Sequence, residues 1–163
     1  MVFNVNQSFD ASASEVFDCY ESARFVGRLG PLGPLGEAQL VDRTERGDRT
    51  VVRTRMTFVA DLPAAARAIV DRDKLAWIEE ATYDRPSLTA TVRFLPDHYA
   101  NKFEAAASTK FYDLGTGSVR AVSGDLKVRV PLVGRQAERA IVSGLVEYLE
   151  SEAVVVARHL AEV

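Results

Sequence analysis

Cysteine is almost absent from this 163-residue chain. Its one cysteine, Cys19, cannot form a disulfide within the chain and fits a reducing compartment, so a cytoplasmic setting is expected. Histidine is scarce too, with only His98 and His159. One Cys and two His are too few for a typical His/Cys zinc site, and neither a metal nor a cofactor is expected. No G-x-S-x-G or H-E-x-x-H pattern occurs, so two common hydrolytic signatures are missing. Basic runs are also missing and the formal net charge is -3, which argues against nucleic acid as a partner, because phosphate binding needs clustered Lys and Arg. No apolar stretch approaches the length of a membrane span. The opening "MVFNVNQSFD" lacks a charged segment followed by an apolar core, so no signal peptide is expected.

What the chain has is alternation. In residues 2–9, Phe3, Val5 and Phe9 fall on one side and Asn4, Asn6 and Ser8 on the other, as in a half-buried strand. "SASE" follows, in which Ser12 and Glu15 form a capping box, and Val16, Cys19, Tyr20 and Ala23 then recur at helical spacing. Cys19 lies in that apolar stripe and reads as a packed thiol. The segment "GRLGPLGPLG" spaces Gly27, Gly30, Gly33 and Gly36 three apart, which is too short an array for a collagen helix. It also lacks the Lys-Ser/Thr ending of a phosphate loop, so it reads as a turn-rich connection. Its Leu29, Leu32 and Leu35 carry almost no charge beside them. They either close a cavity as a lid or simply complete the core.

Residues 38–131 read almost continuously as strands, with a hairpin turning at Gly47–Asp48. Val52, Thr54, Met56, Phe58, Ala60 and Leu62 share one face, opposite a solvated face with Arg53 and Arg55. The segment 63–74 is ambiguous and reads as a helical turn. Further faces carry Leu75, Trp77, Ala81 and Tyr83 with Glu79 among them, then Val92, then Phe103 and Phe111. The last runs from Val122 to Leu132. Many inward positions are small, among them Thr54, Ala81, Ala105 and Gly124. Small residues on a curved sheet either leave a cavity or admit a closely packed helix. From Gln136 onward Ile141, Leu145, Leu149, Val156 and Leu160 share one helical arc, with Glu138 placed in the first turn to meet the helix dipole. A helix running back across the concave face of the sheet explains the strand, the abrupt turn and the helix together.

The order of strand, one or two short helices, six strands and a long helix resembles the START-like, or SRPBCC, superfamily with its helix-grip fold. "GDLKVRVPLVGRQAERAI", residues 124–141, is similar to the strand-to-helix junction of a mainly actinobacterial branch of that superfamily. Gly124, Asp125, Val128, Val130, Pro131, Leu132, Gly134 and Glu138 match that pattern, while Arg135 stands where the branch often has a second Gly. The resemblance implies an α+β helix-grip fold: a curved antiparallel sheet of about seven strands around a long C-terminal helix, in a single domain over residues 1–163. It also implies an internal cavity for a small hydrophobic ligand, lipid- or polyketide-like.

Three functions remain open at this point. The first is binding or carrying such a ligand, the second a cyclase- or dehydratase-like reaction using cavity acids, and the third a filled-core domain that binds another protein. Whether the chain is an enzyme stays undecided, with binding favoured because few polar groups converge. The expected ligand-binding residues are Leu32, Met56, Phe58, Trp77, Val92, Phe103, Phe111, Leu145, Tyr148 and Glu152. Tyr148, Glu152 and His159 share one stripe of the last helix and, with Glu79, are the candidates to orient a polar group or to act as acid and base. If Glu152 were enclosed by apolar groups without a cation, desolvation would raise its pKa.

Overall fold

The structure is a computed structural model that describes residues 1–62, 64–68 and 70–162. Strand β1 (Val2–Phe9) alternates strictly between exposed and buried positions, with Phe3, Val5, Gln7 and Phe9 inward. Helix α1 (Ala13–Ser22) starts at the expected capping box. Ser12 Oγ accepts the Glu15 N–H at 3.3 Å, and Glu15 Oε2 accepts the Ser12 N–H at 2.8 Å. A cap of this kind stabilises by about 1 kcal/mol. The helix ends where Ala23 turns left-handed, at φ +56°. On its inner side Phe17 meets Tyr83 and Phe111 edge-on, with ring centroids 5.7 and 5.3 Å apart.

Six strands follow: β2 (Gln39–Arg46), β3 (Arg49–Thr57), β4 (Ala76–Asp84), β5 (Thr89–Pro96), β6 (Phe103–Leu114) and β7 (Gly117–Val128). All pair antiparallel in one sheet of order β1-β7-β6-β5-β4-β3-β2, so the first strand closes against the last. The β3–β4 connection holds the single helical turn α2 (Ala64–Arg67) and a tighter turn at Arg72–Lys74. Pro63 and Ile69 of that ambiguous segment lie outside the described residues. Helix α3 (Gly134–Ala161) packs on β1, β7 and α1 and is gripped by the curved sheet. On the convex side Arg53 and Arg93 bridge Glu80, and Arg55 meets Asp97. Partly exposed pairs like these contribute little, about 0–1 kcal/mol each.

The junction motif has a structural explanation. A Cβ at Gly134 would lie 2.6 Å from the Val128 carbonyl oxygen, so only glycine lets α3 start so close to the end of β7. Glu138 Oε1 accepts the Val128 N–H at 2.9 Å. That corrects the expectation of a carboxylate serving the helix dipole: the first turn of α3 holds no acid, and Glu138 satisfies the strand end instead. The last strand also stops at Val128, short of the expected end at Pro131, and the next residue, Leu132, has φ +68° and is fully exposed. The small inward residues turn out to serve two purposes. At Gly124 the Phe3 ring fills the place that a Cβ would need. Ala105 and Ala60, by contrast, border open space.

Candidate ligand cavity and its buried polar cluster

The concave face encloses two spaces of different character. The outer one has a volume of about 470 Å³. Phe58, Trp77, Phe103 and Leu126 of the sheet side face Ile141 and Leu145 of α3 across it. Pro34 and Leu35 form part of its wall. Their loop is fixed there because Leu35 bridges to Phe58 and because Gly144 of α3 leaves room for the Pro34 ring. Charged side chains at the margin include Asp61, Lys74, Lys102 and Glu147.

The inner space has room for little more than a water-sized group, about 30 Å³. Its lining is mixed: Tyr20, Glu79, Tyr83, Arg120, Tyr148 and Glu152 supply polar groups, while Phe25, Val26, Leu29 and Met56 supply apolar ones. Strand register sets the division. Met56 pairs with Trp77 and Thr54 with Glu79, so Leu75 and Trp77 open outward while Glu79, Ala81 and Tyr83 open inward. On α3 the same boundary falls between Leu145 and Tyr148.

Four elements build the polar cluster. Gln7 of β1 and Arg120 of β7 are direct cross-strand partners. Arg120 Nη1 donates to Gln7 Oε1 at 2.6 Å and to Glu152 Oε2 of α3 at 2.9 Å. Tyr20 of α1 donates its hydroxyl to the same Oε2 at 3.0 Å, and the Arg120 guanidinium lies 4.0 Å from the Tyr20 ring centroid. Gln7 also donates to the Leu149 carbonyl, which ties β1 to α3. Arg120 and Glu152 are 7% exposed each, so the pair is desolvated and depends on these partners, while Arg120 Nε is left buried with none among the described residues. Burial opposes the charge of Arg120, but Tyr20 and Glu152 outweigh it and hold its pKa above the ordinary arginine value.

Glu79 differs from Glu152. Strand alternation sends its neighbour Glu80 to the convex face and its arginines, while Glu79 points inward. Among the described residues nothing donates a hydrogen bond to its carboxyl. Glu79 is half-buried and lines the inner space. Burial, reinforced by the Glu152 charge and only partly offset by Arg120, pushes its pKa up to about 7. The Tyr83 and Tyr148 phenols rise above the ordinary tyrosine value, chiefly by burial. Burial likewise pushes the Cys19 thiol up to about 11, which keeps it protonated at neutral pH.

The ten residues expected from the sequence separate into three groups. Phe58, Trp77, Phe103 and Leu145 line the outer cavity. Met56, Tyr148 and Glu152 line the inner space. Val92 and Phe111 are buried in the core and Leu32 packs against it, all three outside both linings. The condition attached to Glu152 is not met, because Arg120 supplies a cation at 2.9 Å. His159 is half-buried near the end of α3 and borders neither space. Sequence reasoning missed Gln7 and Arg120. Both sit at inward positions of their strands, Gln7 in phase with Phe3, Val5 and Phe9, and Arg120 in phase with Val122 and Gly124.

A seven-stranded antiparallel sheet gripping one long helix over an internal cavity is the helix-grip fold. Within it the chain belongs to the DUF2505 family, described as "Protein of unknown function", whose model matches residues 4–160. No curated protein matches the chain in sequence. Among solved structures, the protein TTHA0849 from Thermus thermophilus is similar at TM-score 0.70 and 15% identity, covering 99% of this chain and 98% of that one. The Zhui aromatase/cyclase from Streptomyces sp. R1128 is similar at TM-score 0.67 and 12% identity, covering 99% and 94%. Norcoclaurine synthase from Thalictrum flavum, solved with dopamine and hydroxybenzaldehyde, is similar at TM-score 0.67 and 18% identity, covering 99% and 87%. At these identities the likeness is one of fold. No helix among the described residues is long and apolar enough to cross a membrane.

Proposed function

We propose that residues 1–163 act as one domain that binds a small, mainly apolar molecule, lipid- or polyketide-like, between α3 and the concave face of the sheet. The observation that carries this reading is the outer cavity: about 470 Å³, within the range of ligand pockets, with aromatic and aliphatic walls. The fold neighbours support it, since one is an aromatase/cyclase and another was solved with two small aromatic molecules. The contacts would come from Phe58, Trp77, Phe103 and Leu145, with the Pro34–Leu35 loop as the closing wall. Met56, Tyr148 and Glu152 would meet the deepest part of the ligand. The single buried thiol supports a cytoplasmic setting, the net charge of -3 argues against nucleic acid, and the junction at residues 124–141 supports the mainly actinobacterial branch.

Ala105, at the cavity wall, provides the test. Fluorescence of N-phenylnaphthylamine should rise on binding the wild-type protein, and Ala105→Phe should weaken that binding at least about tenfold by filling the space. A dye that does not bind, or that binds the filled variant equally well, would overturn the reading. Glu79 favours a second reading, acid–base catalysis on the bound molecule, because a carboxyl near pKa 7 in an enclosed space suits proton transfer. Mass spectrometry of small molecules extracted from the native protein, followed by incubation with the molecule found, distinguishes binding from turnover.

A further inference from the structure

Glu79 combines three properties that the binding proposal leaves unused: it faces the inner space, it sits directly beyond the Met56–Trp77 boundary of the outer cavity, and no described group donates a hydrogen bond to it. The Tyr83 and Tyr148 hydroxyls border the same space without described hydrogen bonds of their own. Arg120 is differently placed: its Nη1 serves Gln7 and Glu152 and its guanidinium lies against the Tyr20 ring, while its Nε, without a partner among the described residues, is itself buried. The only cation among the described residues of this cluster is therefore matched by Glu152, and the surplus group is an acid.

We infer that the ligand carries a neutral oxygen terminus, a hydroxyl or a carbonyl, which passes Met56 and is received by Glu79, Tyr83 and Tyr148, while a carboxylate terminus is rejected. Size supports this, because about 30 Å³ admits one small group and excludes a phosphate or a sugar. Charge supports it as well. An incoming carboxylate would sit beside Glu79 and Glu152 with only the already paired Arg120 to offset it, in surroundings too dry to screen the repulsion. A hydroxyl can donate to the ionised Glu79 or accept from its protonated form, and a carbonyl can accept from either tyrosine. Met56 is unbranched, and its flexible side chain can move aside to join the two spaces. The inference rests on the binding proposal and adds the class of ligand.

The titratable groups that line the inner space with Glu79 are Tyr20 of α1, Tyr83 of β4, Arg120 of β7, and Tyr148 and Glu152 of α3. With its pKa pushed up to about 7 by burial, Glu79 changes charge near neutrality.

The experiment is displacement of bound N-phenylnaphthylamine by decanol and by decanoate. At pH about 8 the wild-type protein should prefer decanol, and Glu79→Gln should shrink the ratio of their affinities by about tenfold, mainly by tightening decanoate. Glu147→Gln, a carboxylate at the cavity margin, should leave the ratio unchanged. In the wild type, lowering the pH to about 6, where decanoate stays ionised, should shrink the ratio too. A ratio that survives both Glu79→Gln and the lower pH would mean a general dislike of charge and would overturn the inference while leaving the binding reading intact. A ratio that responds to Glu147→Gln would place the selection at the mouth and would also overturn it. A dye that never binds removes the binding reading itself. If Glu79→Gln does not fold, the wild-type pH comparison decides alone.

Discussion

Arg120 shows how one side chain can hold several elements together. It joins β7 to β1 through Gln7, to α3 through Glu152 and to α1 through the Tyr20 ring. Replacing it by Met leaves Glu152 buried with its charge unmatched, which should cost about 3–5 kcal/mol in urea unfolding. Adding Glu152→Gln to Arg120→Met should recover a large part of that loss, and a double variant no more stable than Arg120→Met would refute the pairing. Glu79 makes a separate, pH-dependent contribution. Its folded pKa of about 7 lies above the ordinary 4.5, so its contribution is full below about pH 4.5 and lost as the pH rises through 7. By linkage this loss amounts to about 3 kcal/mol, and Glu79→Gln should remove it. Relative to the wild type, the variant should therefore be more stable at pH about 8 than at pH about 5, by chemical denaturation. A difference that is the same at both values would show that Glu79 titrates normally.

Among the elements, the loop of residues 29–36 and helix α3 are fitted to one another. Gly144 is a poor helix former, and its place in the middle of α3 is explained by Pro34, whose Cγ lies 2.7 Å from where a Cβ would be. Gly33 approaches the Glu147 side chain in the same way, at 3.2 Å. Gly144→Val should push the loop off the helix, open the outer cavity and quicken proteolytic cleavage at residues 29–36, with α3 itself remaining helical by circular dichroism. Unchanged cleavage would show that the loop is held by Leu29 and Leu35, both buried, independently of Pro34.

At the scale of the molecule, legibility followed distance along the chain. The capped α1, the hairpin at Gly47–Asp48 and the apolar arc of α3 are local patterns, and alternation or helical spacing reveals them. The inward phase of Glu79 was equally readable, because Trp77 and Ala81 flank it. The cluster around Arg120 was not. Gln7 and Arg120 are 113 residues apart and meet only because the first strand pairs with the last, and alternation within either strand carries no trace of that pairing. A polar residue in an inward phase looks like an isolated exception until its partner from the other end of the chain stands beside it. The division of the concave face into two spaces was hidden for a related reason. It depends on which residues of β3 and β4 stand level with Tyr148 and Leu145 on a helix far away in sequence.

The burial of α3 changes along its length. Tyr148, Leu149, Glu152 and Val156 in its second half are buried, whereas Ile141 and Leu145 in its first half are only half-buried because they roof the outer cavity. One continuous helix therefore spans two regimes of amide hydrogen exchange. The second half should open only with the whole protein, and the first half by local fluctuation. A molecule filling the cavity supplies the missing contacts beneath the first half alone. Slowed exchange on binding should therefore concentrate at residues 137–146, and exchange measured by mass spectrometry with and without the dye would read cavity occupancy directly from the backbone.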